Sequence, residues 1–151
     1  MHITFICTGN ICRSPMAERI LADALREQGL HDQVQVSSAG TGSWHVGEPA
    51  DHRTVAALRD AGYTTEHVAA TVAAEHLRAD LILALDKGHV RELRKRGADF
   101  ARVRLLREFD PDAQSWEVSD PYWGSQREFE EVREQIEAAI PGILDWIRAR
   151  L

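Results

Sequence analysis

Cys7-Thr8-Gly9-Asn10-Ile11-Cys12-Arg13-Ser14-Pro15 is the stretch from which the rest of the chain can be placed. Ahead of it stand His2-Ile3-Thr4-Phe5-Ile6, apolar with β-branched and aromatic character, which predicts a buried strand. Behind it Met16, Ile20, Leu21, Ala24 and Leu25 recur at helical spacing until Gly29. The reading is strand, tight loop, helix, with Ser14 as N-cap and Pro15 at the first helical position. A loop so placed aims backbone N–H groups and the positive end of a helix dipole at one point, which suits an anion. A thiol enters this loop and an arginine leaves it, which no ordinary turn requires.

Outward from this stretch, strand and helix patterns alternate. Val34 and Val36 lead into Ser37-Ser38-Ala39-Gly40, a short strand, and a loop over 40–51 carries Trp44 in its middle. Val55, Ala56 and Leu58 predict a helix closing at Gly62, and a short helical piece is expected over 71–78. Asp80-Leu81-Ile82-Leu83-Ala84-Leu85-Asp86 is the clearest strand, apolar along its interior as a parallel strand covered on both faces should be. A basic helix is expected over 87–96, stopped by Gly97, then a short fourth strand over Arg102-Val103-Arg104-Leu105. Residues 107–125 are irregular and include Asp120-Pro121. In the final helix Phe129, Val132, Ile136, Ile140, Ile143, Leu144 and Ile147 form one apolar stripe, and Pro141 should bend it or cost one hydrogen bond. There are no repeats and no internal linker. The pattern predicts a single α/β domain over 1–151, a parallel sheet with helices on both faces. Ligands of such sheets bind beyond the carboxyl ends of the strands, where the 7–14 loop, Ser38 and Asp86 fall.

Composition narrows the function classes. The chain has 151 residues, 44% hydrophobic and 28% charged, as expected of one soluble globular domain. No apolar run approaches the length of a membrane span, and no secretory pattern precedes the first strand. Membrane partners are therefore not expected. A net charge of −6 argues against nucleic acid. The two cysteines, Cys7 and Cys12, are too close in sequence for a bond between them to remove much chain entropy. They point to a reducing, cytoplasmic compartment and to chemistry or redox sensing. A zinc site would need two further ligands at sensible spacing, and no Walker lysine follows the glycine, so neither metal nor cofactor is expected.

The chemistry follows from residue types. Thiolate, not thiol, is the nucleophile. Cys7 would lie under N–H groups, above a helix N-terminus and near Arg13, and each favours the anion. The Arg13 fork matches two oxygens of a phosphate and would turn its phosphorus toward the sulfur. Attack would give a cysteinyl-phosphate, with charge on the equatorial oxygens met by N–H groups and Arg13. The leaving oxygen needs a proton. Asp120, held extended by Pro121 and flanked by Tyr122 and Trp123, is the candidate acid; the two aromatics would partly desolvate it. In the second step the same carboxylate would take a proton from water.

Cys7 through Pro15, continued by Met16-Ala17-Glu18, resembles the signature of the low-molecular-weight protein tyrosine phosphatases. Ser37-Ser38-Ala39-Gly40-Thr41 and Asp120-Pro121-Tyr122-Trp123 resemble that family's other two motifs, in the same order along nearly the whole chain. The resemblance implies a four-stranded parallel sheet of the phosphotyrosine phosphatase I type and metal-free hydrolysis of phosphotyrosine in proteins and of small aryl phosphates by a monomer. It implies Cys7 as nucleophile, Arg13 as clamp and Asp120 as acid and base, with Thr8, Gly9, Asn10, Ile11 and Cys12 lining the phosphate loop. Ser14 is similar to a hydroxyl that hydrogen-bonds the nucleophilic sulfur. Asn10 and Ser38 match a pair that holds the loop in shape. Trp44, Tyr122 and Trp123 match the walls of a slot for a flat ring. Cys12 matches a partner that forms a reversible disulfide with Cys7 under oxidation. His67 resembles a histidine paired with the aspartate at Asp86, and Ala70 stands where the family usually has arginine. One tyrosine, Tyr122, occupies the acid loop where many relatives have two, and the resemblance extends to regulation by phosphorylation of that loop.

Three other readings compete. Related enzymes acting on phosphoarginine tend to carry threonine where this chain has Ile11. An arsenate reductase on the same fold needs cysteines beyond Cys12, and none follows. A non-catalytic phosphate-binding module predicts a missing acid, whereas Asp120 is present.

Overall fold

The computed structural model describes residues 1–151. Its first strand, β1 (His2–Cys7), leads into α1 (Arg13–Glu27) and β2 (Gln35–Gly40). Then come α2 (His52–Asp60), a single turn α3 (Ala74–Leu77), β3 (Leu81–Ala84), α4 (Lys87–Lys95), β4 (Val103–Leu105) and α5 (Gln126–Arg148). Two 3₁₀ turns, Phe100–Arg102 and Leu106–Phe109, flank β4. The four strands form one parallel sheet in the order β2-β1-β3-β4. β1 is thus central, with Cys7 level with Gly40 and Ile6 level with Ala84.

The two-residue period of the strands divides the core. Ile3, Phe5, Cys7, Leu81, Leu83 and Leu85 face α1, α2 and α5. Ile6, Ile82, Ala84 and Leu105 face the α4 side, where Leu93 meets them. The apolar stripe of α5 from Phe129 to Ile147 lies in the first of these cores, fully or nearly fully buried. At roughly 1.5–3 kcal/mol per large apolar side chain removed from water, that stripe anchors the C-terminal helix. α5 runs through Pro141 without interruption, so the cost of the proline is the one hydrogen bond its nitrogen cannot make. No helix is long and apolar enough to cross a membrane.

Three local expectations are corrected. α1 begins at Arg13 with Cys12 in the N-cap position, two residues before the expected start. Ser14 does not cap the helix because its hydroxyl is turned to the Cys7 sulfur. The helical piece over 71–78 contracts to Ala74–Leu77, since Thr71 pairs with Gly40 as a β-bridge. The strand over 80–86 contracts to Leu81–Ala84, and Asp86 instead caps α4.

The chain leaves β1, pairs outward as β2, and returns on the other side of β1 as β3. In a sheet of this order the crevice opens where those directions diverge, beyond the carboxyl ends of β1 and β3. Cys7 and Asp86 stand on its two sides. Gly40 closes it from the β2 side: a Cβ there would sit 2.5 Å from the Thr8 carbonyl oxygen, so only glycine lets the two backbones approach.

Candidate active site

The loop after β1 is shaped by where its carbonyls go. The Cys7 and Thr8 carbonyls accept from the Thr41 and Gly42 N–H groups at 2.9 Å. The Asn10 carbonyl meets His67 Nε2 at 2.7 Å, the Ile11 carbonyl accepts from Asp51 N–H at 2.8 Å, and the Cys12 carbonyl accepts from the Thr54 hydroxyl at 3.2 Å. In a trans peptide the C=O and the following N–H point opposite ways. The N–H groups of Thr8, Gly9, Ile11, Cys12 and Arg13 are therefore turned inward, away from these partners. None of them donates to a protein acceptor. The result is a cup of N–H groups at the start of α1, an anion site made by backbone alone.

Asn10 locks the turn. Its φ of 57° is the only positive value at a non-glycine residue, and asparagine tolerates that region better than other side chains. The side chain is fully buried and fully used. Oδ1 accepts from the Ala70 N–H at 2.8 Å, while Nδ2 donates to Ser14 Oγ at 2.7 Å and Ser38 Oγ at 2.9 Å. Ser38 in turn donates to Glu18 at 2.6 Å. The order of donors matters. Because Ser14 Oγ accepts from Asn10, its own hydrogen is free for the Cys7 sulfur, 2.8 Å away. The Cys7 sulfur thus faces a hydroxyl that can donate to it. Cys12 is also a free thiol, but burial first, and then the Asp51 carboxylate, push it up and keep it protonated.

Arg13 is 3% exposed and is held from behind. Both hydrogens of Nη1 are committed, to Asp86 Oδ2 at 2.9 Å and to the Val118 carbonyl at 2.8 Å. The Nε and Nη2 edge has no partner within hydrogen-bond distance, and Nη2 lies 3.8 Å from Asp120 Oδ2. Asp86 does two things at once. Its Oδ1 accepts from the His89 N–H and caps α4, while its Oδ2 orients Arg13. His89 returns the bond, its Nδ1 accepting from the Asp86 N–H, so the ring proton is on Nε2 and is donated to Thr8 Oγ1 at 2.9 Å. Burial, outweighing the Asp86 carboxylate, pushes His89 down to about 4 and keeps the ring neutral. Asp86 itself is held below the usual carboxylate range, its burial outweighed by His89 and Arg13.

Above the cup is a pocket of about 200 Å³. Cys7, Thr8, Gly9, Ile11, Cys12 and Arg13 make its floor, and Trp44, His45, Tyr122 and Asp120 its walls. Not every expected residue is there. Asn10 and Ser14 stand behind the loop rather than in its wall. Trp123 is 93% exposed and packs edge-on against Tyr122, with ring centroids 4.9 Å apart, outside the pocket. The aromatics do not desolvate Asp120, whose side chain is 51% exposed. Its Oδ1 instead accepts from the Tyr122 N–H at 3.1 Å, a turn that fixes its position. The pairing expected between His67 and Asp86 does not form: His67 reaches the Asn10 carbonyl, and His89 takes the place beside Asp86.

Sequence reasoning missed His45, His89, Glu18 and Arg53. Arg53 holds Asp51 on one side and the Gly124 carbonyl at 3.0 Å on the other, joining the segment after Asp120 to α2. A capping-box spacing, Asp86-Lys87-Gly88-His89, was a usable signal for His89. The others are set by the fold alone.

A sequence model of the family described as low molecular weight phosphotyrosine protein phosphatase matches residues 2–151. The low molecular weight protein-tyrosine phosphatase A of Mycobacterium bovis is 56% identical, covering 100% of this chain and 94% of its own. A protein tyrosine phosphatase structure from Entamoeba histolytica superposes with a TM-score of 0.93 at 30% identity, over 100% of this chain and 99% of that one. A Drosophila arginine phosphatase superposes with a TM-score of 0.91 at 27% identity, covering all of both chains.

Proposed function

The chain belongs to the low molecular weight phosphotyrosine protein phosphatase family and is a protein tyrosine phosphatase, and from that premise we propose how its own residues divide the work. A phosphotyrosine side chain enters the pocket with its ring between Trp44 and Tyr122 and its phosphate in the N–H cup. The Nε and Nη2 edge of Arg13 takes two of the phosphate oxygens. Cys7 Sγ attacks phosphorus, the S–P bond forms as the P–O bond to the phenol breaks, and Asp120 gives its proton to the departing oxygen. In the second step Asp120 takes a proton from water, the water oxygen attacks phosphorus, and the S–P bond breaks to release inorganic phosphate. The Ser14 hydroxyl stabilises the departing thiolate, and the cup and Arg13 meet the charge on the equatorial oxygens in both steps. Phosphoproteins are the substrate class.

The observation that carries this reading is the chain from Asn10 through Ser14 to Cys7, in which the Ser14 hydroxyl accepts from Asn10 and keeps its own hydrogen for the sulfur in the floor of an anion cup. Isoleucine at position 11 offers an apolar floor to an aryl ring and no hydroxyl to a guanidinium. The test is phosphate release from matched phosphotyrosine, phosphoserine and phosphoarginine peptides by the parent and by Cys7→Ser. The expected result is a strong preference for phosphotyrosine in the parent and no turnover in the variant, which still binds phosphate. Parent-like turnover by Cys7→Ser would remove the nucleophile, and a preference for phosphoarginine would move this chain to the chemistry named for the Drosophila relative.

A further inference from the structure

The net negative chain carries one strongly basic helix, and it starts at the active site. Asp86, which orients Arg13, is also the N-cap of α4. On α4, Lys87, Arg91 and Lys95 follow at four-residue spacing and are all exposed, so they form one stripe about 12 Å long. None of their three side-chain cations pairs with a carboxylate, although Glu92 of the same helix pairs with Arg96, and the Glu117 carboxylate reaches only the backbone N–H of Lys87. Lys87 occupies the first turn, where the helix dipole disfavours a cation, and the Asp86 and Glu117 carboxylates at that end bond backbone N–H groups rather than its ammonium.

Beside Lys87 is a second depression, of about 290 Å³, bordered by residues 113–116. Its aromatic wall is Trp116, 57% exposed. Glu117 joins the two sides, its carboxylate accepting from the Lys87 backbone N–H at 2.9 Å. The depression is tied to the phosphate site at both edges. Lys87 adjoins Asp86, and Trp116 is two residues from Val118, whose carbonyl holds Arg13. Two residues of chain span at most about 7 Å. A peptide extended from the pocket advances about 3.3 Å per residue, so residues flanking the phosphotyrosine, rather than the phosphotyrosine itself, would meet the depression.

We propose that this depression and the α4 stripe form a docking subsite for acidic residues flanking the phosphotyrosine of a protein substrate, with Trp116 as an apolar platform and Lys87 and Arg91 as the cations. The proposal rests on the phosphatase reading above. It places selection between phosphoproteins outside the pocket that performs the chemistry. Exposed charges select mainly through encounter and orientation, so the effect belongs in KM and in salt dependence.

The experiment compares phosphotyrosine peptides carrying Asp and Glu two to four residues to either side with the same peptides carrying Ala or Lys. At low ionic strength the parent should favour the acidic peptide by about 5–20-fold in kcat/KM through KM, and the preference should shrink toward unity with added salt. Lys87→Glu combined with Arg91→Glu should abolish or invert it, and Trp116→Ala should weaken it. All three proteins should hydrolyse para-nitrophenyl phosphate equally, which also shows that the variants fold. An undiminished preference in the double variant would overturn the subsite. So would a double variant that keeps the peptide preference but no longer binds phosphatidylserine vesicles, which would assign the stripe to membranes. Failure of the parent to hydrolyse para-nitrophenyl phosphate would overturn the phosphatase reading itself.

Discussion

Two loops meet over the phosphate site, and they are held differently. Between Cys7 and Cys12, five carbonyls are bonded to partners elsewhere in the chain, and the Asn10 side chain makes three further bonds at zero exposure. Between Asp120 and Gly124 the bonds are mostly internal: Asp120 accepts from the Tyr122 N–H, and the Pro121 carbonyl from the Gly124 N–H. Arg53 on the Gly124 carbonyl and the buried Pro121 tie that segment to the body. The contrast follows from the two tasks. A cup that stabilises charge must not rearrange as the charge moves, so it is braced on every side. A group that gives and then takes a proton must meet water, so Asp120 stands half exposed.

The contrast breaks first at Asp120. Asp120→Ala should lower kcat for phenolic leaving groups by about 10²–10⁴, with a smaller loss for para-nitrophenol, which leaves without help. Thermal stability should change by no more than about 0.5 kcal/mol, as for a surface substitution, and inhibition by inorganic phosphate should persist. A large stability loss, or lost phosphate binding, would show that the acid loop is part of the brace.

The brace carries buried titrating groups, and that gives it a pH signature. His89 is pushed down to about 4 from an unfolded value near 6.5, so between those values the unfolded chain binds the extra proton. Its contribution to stability is complete above about pH 6.5 and is lost as pH falls toward 4, on the order of 3 kcal/mol in all. His2, His67 and His76, also lowered by burial, add slope of the same sign. His89→Gln keeps the capping box, because a glutamine oxygen can accept the Asp86 N–H. Urea unfolding of both proteins at a series of pH values should show a shallower loss for the variant between pH 6.5 and 4. Parallel curves would mean that His89 titrates alike in both states.

How much of this was readable from the residues differs between the two loops for the same physical reason. The strand, the thiol, the arginine and the helix are contiguous, so the order β1, cup, α1 and the parallel sheet follow from local pattern. The start of α1 is not legible locally, because a serine before a proline reads as a cap and only tertiary contact shows that its hydroxyl serves sulfur. The family resemblance alone pairs His67 with Asp86, and only the four-residue capping-box spacing from Asp86 to His89 separates the two histidines in sequence. Which one reaches Asp86 is decided by the α4 capping box, and which one reaches Asn10 by the path of the 63–72 segment. The acid loop has no periodicity, so the identity of its residues was legible while the directions of their side chains were not. Tyr122 turned inward and Trp123 outward.

That last pair gives the smallest and most discriminating test. Trp44 is 75% exposed but lines the pocket beside Tyr122, whereas Trp123 touches only the outer edge of Tyr122. A ring in the slot would lose a stacking surface with Trp44→Ala, worth about 0.5–1.5 kcal/mol, and KM for an aryl phosphate should rise about 2–10-fold with kcat little changed. Trp123→Ala removes an edge contact to a wall, not the wall, and KM should stay within about twofold. The order of the two effects is what matters. If Trp123→Ala costs more than Trp44→Ala, substrate must draw Trp123 inward on binding. The acid loop would then close over the ring, and its sparse bonding would serve motion as well as access to water.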